Sequence, residues 1–120
     1  MGLDQFAYTR DAEGEQIEEL KYWRKHNALH GWMEMLYRIK GGGASMFNGV
    51  EVELDFAAIE QLEKCVSEGN LPHTEGFFFG ADSSGDDERS IYLREETLEF
   101  VAKAKKALAR GEKVYYDSSW

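Results

Sequence analysis

The sequence is poor in cysteine and proline and has no long apolar segment. Among its 120 residues there is one cysteine, Cys65, and one proline, Pro72. A single cysteine cannot form an internal disulfide and is typical of a reducing compartment. No apolar run reaches the roughly 20 residues of a membrane helix, and residues 1–6 lack the basic start and apolar core of a signal peptide. These absences predict a cytoplasmic protein without membrane contact.

Basic residues are also scarce. The chain has 14 lysine and arginine residues against 23 aspartate and glutamate residues, a net charge of −9. Nucleic-acid binding through a broad surface requires clustered positive charge, so this composition argues against direct nucleic-acid binding. Two classes stay open: an acidic protein with a local basic pocket, and a protein that imitates nucleic acid with its own carboxylates. Hydrophobic residues make up 42% of the chain, which suffices for the core of one domain spanning residues 1–120.

The pattern of apolar residues predicts a single α+β domain with the element order ββαβαβαβ. Residues 3–8 and 17–22 flank a polar turn at 11–14, which indicates a β-hairpin, although helix stays open for its second arm. Because the crossovers are short, a mixed or antiparallel sheet packed with about three helices is favoured over a doubly wound fold. Alternation and flanking glycines predict further strands at 50–54, 76–80 and 113–116.

Three amphipathic helices are predicted, each followed by a glycine that ends it. The first spans residues 28–40 with Asn27 as its N-cap, the second begins after the N-cap Asp55, and the third spans 89–110. The side chains predicted to face the core are Leu29, Trp32, Met33, Leu36 and Tyr37 on the first helix, Phe56, Ile59, Leu62 and Val66 on the second, and Leu98, Val101, Ala102, Ala104 and Leu108 on the third.

Four short motifs occur in order along the chain: the start Met1–Asp4, the segment Tyr22–Trp32 (YWRKHNALHGW), GFFFG at 76–80 and YYDSSW at 115–120. In these motifs the chain resembles a family of small uncharacterised bacteriophage and bacterial proteins over nearly its whole length. The resemblance implies an accessory protein, in the host cytoplasm if phage-encoded, and implies no reaction. The phosphoglycerate kinase label that some members carry does not fit a chain of 120 residues without a Gly-rich phosphate loop.

The segment Tyr22–Trp32 concentrates positive charge just before and within the first turn of the first predicted helix. A helix N-terminus offers free backbone N–H groups and a partial positive charge, and therefore binds anions. Arginine and lysine donate to phosphate or carboxylate, and aromatic rings stack on a base. The predicted ligand-binding residues are two cations, two polar helix residues, two stacking rings and one hydroxyl at the pocket edge: Arg24, Lys25, Asn27, His30, Trp23, Tyr116 and Ser118.

A purely structural interpretation of the same residues stays open. In it the tryptophans pack in the core, Asn27 only caps the helix, and the cations pair with surface carboxylates. The aromatic C-terminus likewise predicts a docked chain end, either as a closing strand or as a pocket edge, because chain ends are usually polar. GFFFG is interpreted as a buried strand, with a stacking platform as the alternative.

No metal or cofactor is predicted. The acidic segment 81–88 does not match the spacing of an EF-hand and is interpreted as a solvated loop. The three histidines, His26, His30 and His73, do not form a usual zinc set with Cys65.

Three functional hypotheses follow. The preferred one is a binding protein that holds a small anionic, nucleotide-like ligand at the start of the first helix, with sequestration of a nucleotide signal in counter-defence as its role. The second is an inhibitor of a host protein that imitates nucleic acid with the carboxylates of the hairpin turn and the acidic loop. The third is a small hydrolase or transferase with His30 as general base and Lys25 or Arg24 stabilising developing charge. It ranks last because no nucleophile or metal motif supports it.

Overall fold

The computed structural model describes residues 2–71 and 88–120. In this part of the chain, four strands form one antiparallel sheet in the order β2-β1-β4-β3. The predicted α+β domain is confirmed, whereas the strand predicted at 76–80 and the loop residues 81–87 lie outside the described residues. The elements are β1 (Asp4–Arg10), β2 (Gln16–Arg24), α1 (Asn27–Ile39), β3 (Val52–Leu54), α2 (Phe56–Ser67), α3 (Glu88–Ala109) and β4 (Lys113–Ser119).

β1 and β2 form the predicted hairpin. Asp11 organises its turn, because Oδ1 accepts hydrogen bonds from the backbone N–H groups of Glu13 at 3.0 Å and Glu15 at 2.9 Å. Gly14 has a φ of 86°, a conformation that glycine adopts without steric cost. The second arm is therefore a strand and not a helix.

The described helices cover one face of the sheet. Along β1, Gln5, Ala7 and Thr9 point towards the helices and are fully buried, whereas Phe6 and Arg10 on the opposite face are half-buried. α2 packs against α3, and α3 also contacts β2 and β4. The sheet thus has an inner face that belongs to the core and an outer face that no described helix covers.

Most of the predicted inward-facing residues are confirmed. Leu29 and Met33 of α1 are buried, as is the row of apolar residues on α2. Two predictions are wrong: Phe56 is 51% exposed, since it begins α2 and projects beyond the core, and Ala102 is exposed. The buried row of α3 instead follows three- and four-residue spacing through Leu93, Thr97, Phe100, Val101, Ala104 and Ala107.

The N-cap prediction for α1 is also wrong. The helix begins at Asn27 itself, and the cap residue is His26, whose side chain makes no capping hydrogen bond. His26 is held there by β1 instead, because its backbone N–H donates to Gln5 Oε1 at 2.8 Å. The prediction for α2 is confirmed: Asp55 Oδ1 accepts from the backbone N–H of Ala58 at 2.8 Å.

α3 also covers part of the outer edge of β2. Lys103 Nζ donates to the carbonyl of Leu20 at 3.4 Å, and Arg89 Nη2 donates to the carbonyl of Arg24 at 2.6 Å. These bonds satisfy backbone acceptors of an edge strand, which would otherwise be open to pairing with another chain. They also fix the start of α3 beside the end of β2.

The chain ends in a docked position, as predicted. Trp120 Nε1 donates to the carbonyl of Phe47 at 2.9 Å, and its backbone N–H donates to Asn48 Oδ1 at 3.0 Å. β4 runs to Ser119 rather than ending at Tyr116, because its last residues pair with β1 as far as Asp4. None of the described helices has the length and apolar composition that crossing a bilayer requires.

Candidate functional site

Buried hydrogen bonds connect β1, the start of α1 and β4. Gln5 Nε2 donates to the Tyr116 hydroxyl at 3.1 Å and to the His26 carbonyl at 3.0 Å. The same hydroxyl lies 2.8 Å from His30 Nδ1. Gln5 and Tyr116 are 0% exposed and His30 is 1% exposed, so these bonds are what makes polar side chains tolerable in the core. We call Gln5, His30 and Tyr116 the buried network.

Burial determines the protonation states in this network. It lowers the pKa of His30 from 6.5 to about 4, against an opposing hydrogen bond to the Phe47 backbone. It also raises the pKa of Tyr116, against opposing hydrogen bonds from Gln5 and Ser118. Both groups are neutral near pH 7. The Tyr116 hydroxyl therefore donates to His30 Nδ1, and the other ring nitrogen of His30 donates to the Phe47 carbonyl.

Basic side chains gather where β2 leads into α1. Lys25 has a φ of 57°, the one positive φ among the described non-glycine residues, so the chain turns sharply there. Arg89 reaches this turn from α3 and donates from Nη2 to the carbonyls of Arg24 and Lys25 at 2.6 and 3.3 Å. Arg24 Nη1 lies 3.3 Å from Asp4 Oδ1. We call Arg24, Lys25, His26 and Arg89 the junction cluster.

His26 is the buried member of the junction cluster. It is 6% exposed, and its Nε2 is buried with no hydrogen-bond partner among residues 2–71 and 88–120. Burial, followed by the positive charge of Arg89, lowers the pKa of His26 from 6.5 to about 3. The imidazole is thus neutral near pH 7 and lies close to the Arg89 guanidinium. His26 directly precedes α1, and the first backbone N–H groups of a helix have no acceptor within the helix.

The structure separates the residues predicted to bind a ligand into three places. Arg24 and Lys25 are exposed at the junction cluster. Trp23 is 2% exposed and lies under α3, where its ring meets that of Phe100 at 5.2 Å and its Nε1 donates to Thr97 at 3.2 Å. The remaining four are buried at the interface of α1 with the sheet: Asn27, His30, Tyr116 and Ser118.

Three residues of this region were not predicted as site residues. The burial of Gln5 could have been predicted, because residues 3, 5 and 7 lie on the same face of a strand and Leu3 and Ala7 are apolar. His26 belongs to the basic segment before the first helix and was weighed as a metal ligand, but it was not assigned to the ligand site. Arg89 had no local signal, since it is separated from Lys25 by 64 positions and only the packing of α3 brings it there.

Within the described part of the chain, no group of three histidine, cysteine, aspartate or glutamate side chains could hold a metal ion. The site therefore offers donors and charge: two exposed guanidinium groups, an ammonium group and a buried imidazole. Such a set is suited to binding an anion.

Comparison with known proteins yields no match. No protein-family model matches the chain, and neither the curated proteins nor the solved structures contain a match.

Proposed function

We propose that the protein is an accessory binding protein that holds a small anionic, nucleotide-like ligand at the junction cluster. The supporting observation is His26, whose Nε2 is buried without a partner in the described residues and lies close to the Arg89 guanidinium. Buried polar atoms are nearly always hydrogen-bonded. A ligand oxygen that accepts from both Nε2 and Arg89 would satisfy this atom and balance the neighbouring charge.

The charge distribution supports the same place. The whole chain has a net charge of −9, so its average field repels anions, and an anion site needs a local excess of positive charge. Arg24, Lys25 and Arg89 supply that excess, and all three side chains are exposed. Guanidinium groups bind phosphate oxygens in pairs, and the N-terminal end of α1, a helix of 13 residues, adds a favourable dipole.

The buried residues of the predicted site take a supporting role in this proposal. Asn27 directly follows His26 and keeps its assignment to the polar edge of the ligand. His30 and Tyr116 hold the start of α1 against β4 and β1, and Ser118 pairs with Gln5 within the sheet. Trp23 packs beneath α3, so the proposal gives it no stacking contact.

The resemblance to phage and bacterial proteins supplies the biological setting. There, sequestration of a nucleotide signal would act as counter-defence. The hydrolase alternative is not carried forward, because His30 is 1% exposed and its Nδ1 is already bonded by Tyr116.

A thermal-shift experiment tests the proposal. The wild-type protein is titrated with AMP, ADP, cyclic AMP and inorganic phosphate, with uncharged adenosine as the ligand control. A ligand that binds only the folded state adds about 2.7 kcal/mol of stability at 100 times its Kd. We expect at least one of the anions, and not adenosine, to raise the Tm in proportion to the logarithm of its concentration.

Matched variants locate the site. Arg89→Gln and Lys25→Gln each remove a junction cation and should weaken binding about tenfold or more. Lys106→Gln removes an exposed cation from the same helix as Arg89 and should leave the affinity unchanged. The proposal fails if no anion shifts the wild-type Tm, or if Arg89→Gln and Lys106→Gln weaken binding equally.

A further inference from the structure

The outer face of the sheet has aromatic and charged side chains on neighbouring strands. β1 contributes Phe6, Tyr8 and Arg10, while β2 and β4 contribute Tyr22 and Tyr115. An open groove of about 550 Å³ crosses this face. Its lining includes Phe6, Tyr8, Arg10, Glu19, Glu51 and Asp117. This face adjoins the junction cluster at Asp4, which pairs with Arg24 and accepts from the Tyr22 hydroxyl.

One half of the groove already holds a guanidinium of the protein itself. Arg10 Cζ lies 5.3 Å from the centre of the Tyr8 ring and 5.5 Å from that of Tyr115. Its Nη2 donates to Glu51 Oε2 at 2.6 Å, and the same carboxylate accepts from the Tyr8 hydroxyl. Aromatic rings and a carboxylate thus bind one arginine here through cation–π contact and a charge-assisted bond.

Beyond Arg10 the groove has a further aromatic ring and two further carboxylates, and none of the other described residues that line it is a cation. Phe6 pairs with Tyr22, which lies beside the groove, with their ring centres 5.5 Å apart. The Tyr22 ring is 47% exposed, and its hydroxyl donates to Asp4 Oδ1, which also accepts from Arg24 Nη1. Asp117 lies opposite Phe6 on β4, and Glu19 lies on β2 opposite Tyr8. Neither carboxylate forms an ion pair within residues 2–71 and 88–120. We call Phe6, Glu19, Tyr22 and Asp117 the acceptor patch.

The acceptor patch favours a positive ligand on electrostatic grounds. Three carboxylates line the groove against one guanidinium, and that guanidinium is already bonded to Glu51. Burial and then the charge of Glu51 raise the pKa of Asp117 above its ordinary value, although a backbone bond from Ser118 and the charge of Arg10 oppose the shift. A second cation beside Asp117 would relieve this unfavourable field.

We propose that the acceptor patch binds an arginine side chain from an extended segment of a protein partner, in the way that the neighbouring half of the groove binds Arg10. Arginine is favoured over lysine because its planar guanidinium stacks on rings and bonds a carboxylate through two N–H groups. A protein segment is favoured over a small cation because the groove is open along the sheet rather than enclosed. Tyrosine and arginine are also the residues that dominate the binding energy of protein interfaces.

An NMR titration of the ¹⁵N-labelled full chain tests this inference. The probe is the acetylated pentapeptide Gly-Arg-Ser-Arg-Gly, and the comparison peptide has citrulline, an uncharged isostere, at both arginine positions. We expect the arginine peptide to shift the amide signals of Phe6, Tyr22 and Asp117, and the citrulline peptide to leave them unchanged. Asp117→Asn keeps the acceptor for Ser118 N–H and should weaken binding about threefold to fivefold.

A second variant of the acceptor patch and a matched control on α2 complete the test. Phe6→Leu should weaken binding about twofold to fivefold through loss of the ring. Glu60→Gln removes one exposed negative charge on α2 and should have no effect beyond the small change in net charge. The inference is overturned if the arginine peptide shifts no signal of the acceptor patch, if Asp117→Asn and Glu60→Gln act alike, or if spermidine binds the patch as tightly as the peptide.

Discussion

At the level of single residues, the Tyr116 hydroxyl links three segments that are distant in the sequence. It accepts from Gln5 Nε2 and donates to His30 Nδ1, so one oxygen joins β1 and α1 to β4. Removing this oxygen leaves a donor and an acceptor unsatisfied in a site with no exposure to water. The hydroxyl therefore stabilises the fold whether or not a ligand binds.

Tyr116→Phe should accordingly lower the free energy of unfolding by about 1–3 kcal/mol. Urea denaturation followed by circular dichroism measures the change. Tyr92→Phe is the matched control, because Tyr92 is 57% exposed on α3, and it should change stability by less than about 0.5 kcal/mol. Equal effects of the two substitutions would refute a stabilising role for the network.

The two buried histidines predict how stability depends on pH. The pKa of His30 is about 4 and that of His26 about 3 in the folded protein, against 6.5 as the ordinary value. Between pH 6.5 and these values the unfolded chain binds protons that the folded protein excludes. The free energy of unfolding should therefore fall as the pH falls, by up to about 1.4 kcal/mol per pH unit for each histidine.

Urea denaturation at pH 6.5 and 5.0 measures this loss above the range where carboxylates titrate. His26→Gln should reduce the loss by about 1.6 kcal/mol over that interval, because one buried imidazole is gone. If the variant and the wild-type protein lose the same stability, His26 is not excluded from protonation in the folded state.

At the level of helices and strands, the capping of α2 differs from that of α1. Asp55 caps α2 with its own side chain, whereas His26, the cap residue of α1, makes no side-chain cap and is held by Gln5 instead. Asp55→Ala should therefore cost about 1 kcal/mol, measured by thermal denaturation. Asp55→Asn keeps a capping oxygen and should cost less, and equal losses for the two substitutions would contradict the capping role.

The sequence predicted those elements whose signals are local. Apolar spacing and a following glycine gave the extents of α1, α2 and α3 to within one or two residues, and the Asp11–Gly14 turn gave the hairpin. The N-cap of α1 was missed because Asn27 has the preferred side chain, while a contact from β1 decides the position. β4 was predicted too short, since its pairing with β1 continues to Ser119, beyond the apolar residues that indicated the strand.

The site could be predicted only in part, for the same reason. The basic residues before α1 are visible in the sequence, and their position at a strand-to-helix junction is confirmed. The hydrogen bonds from Arg89 to their backbone carbonyls depend on the packing of α3. The burial of Tyr116 and His30 depends on the packing of α1 against the sheet. Neither leaves a local pattern. Trp23 could not be assigned to core or ligand from spacing alone, and the structure places it in the core.

For the molecule as a whole, two surfaces with opposite chemistry lie on one acidic domain. The junction cluster gathers cations at the start of α1, and the acceptor patch has two carboxylates on the outer face of the sheet that form no ion pair among the described residues. The chain as a whole has a net charge of −9, so the junction cluster runs against the average field of the protein. A local reversal of this kind is what selective binding of an anion by an acidic protein requires.

The imidazole ¹⁵N NMR spectrum of His26, recorded during a titration with AMP, tests that assignment most directly. If AMP binds at the junction cluster, the His26 ring nitrogens shift with AMP concentration and the pKa of His26 rises from about 3, while the His30 signals, held by Tyr116, change little. The Arg89→Gln variant should lose the response. A spectrum in which the His26 signals stay unchanged at AMP concentrations that saturate the thermal shift would contradict the proposed site.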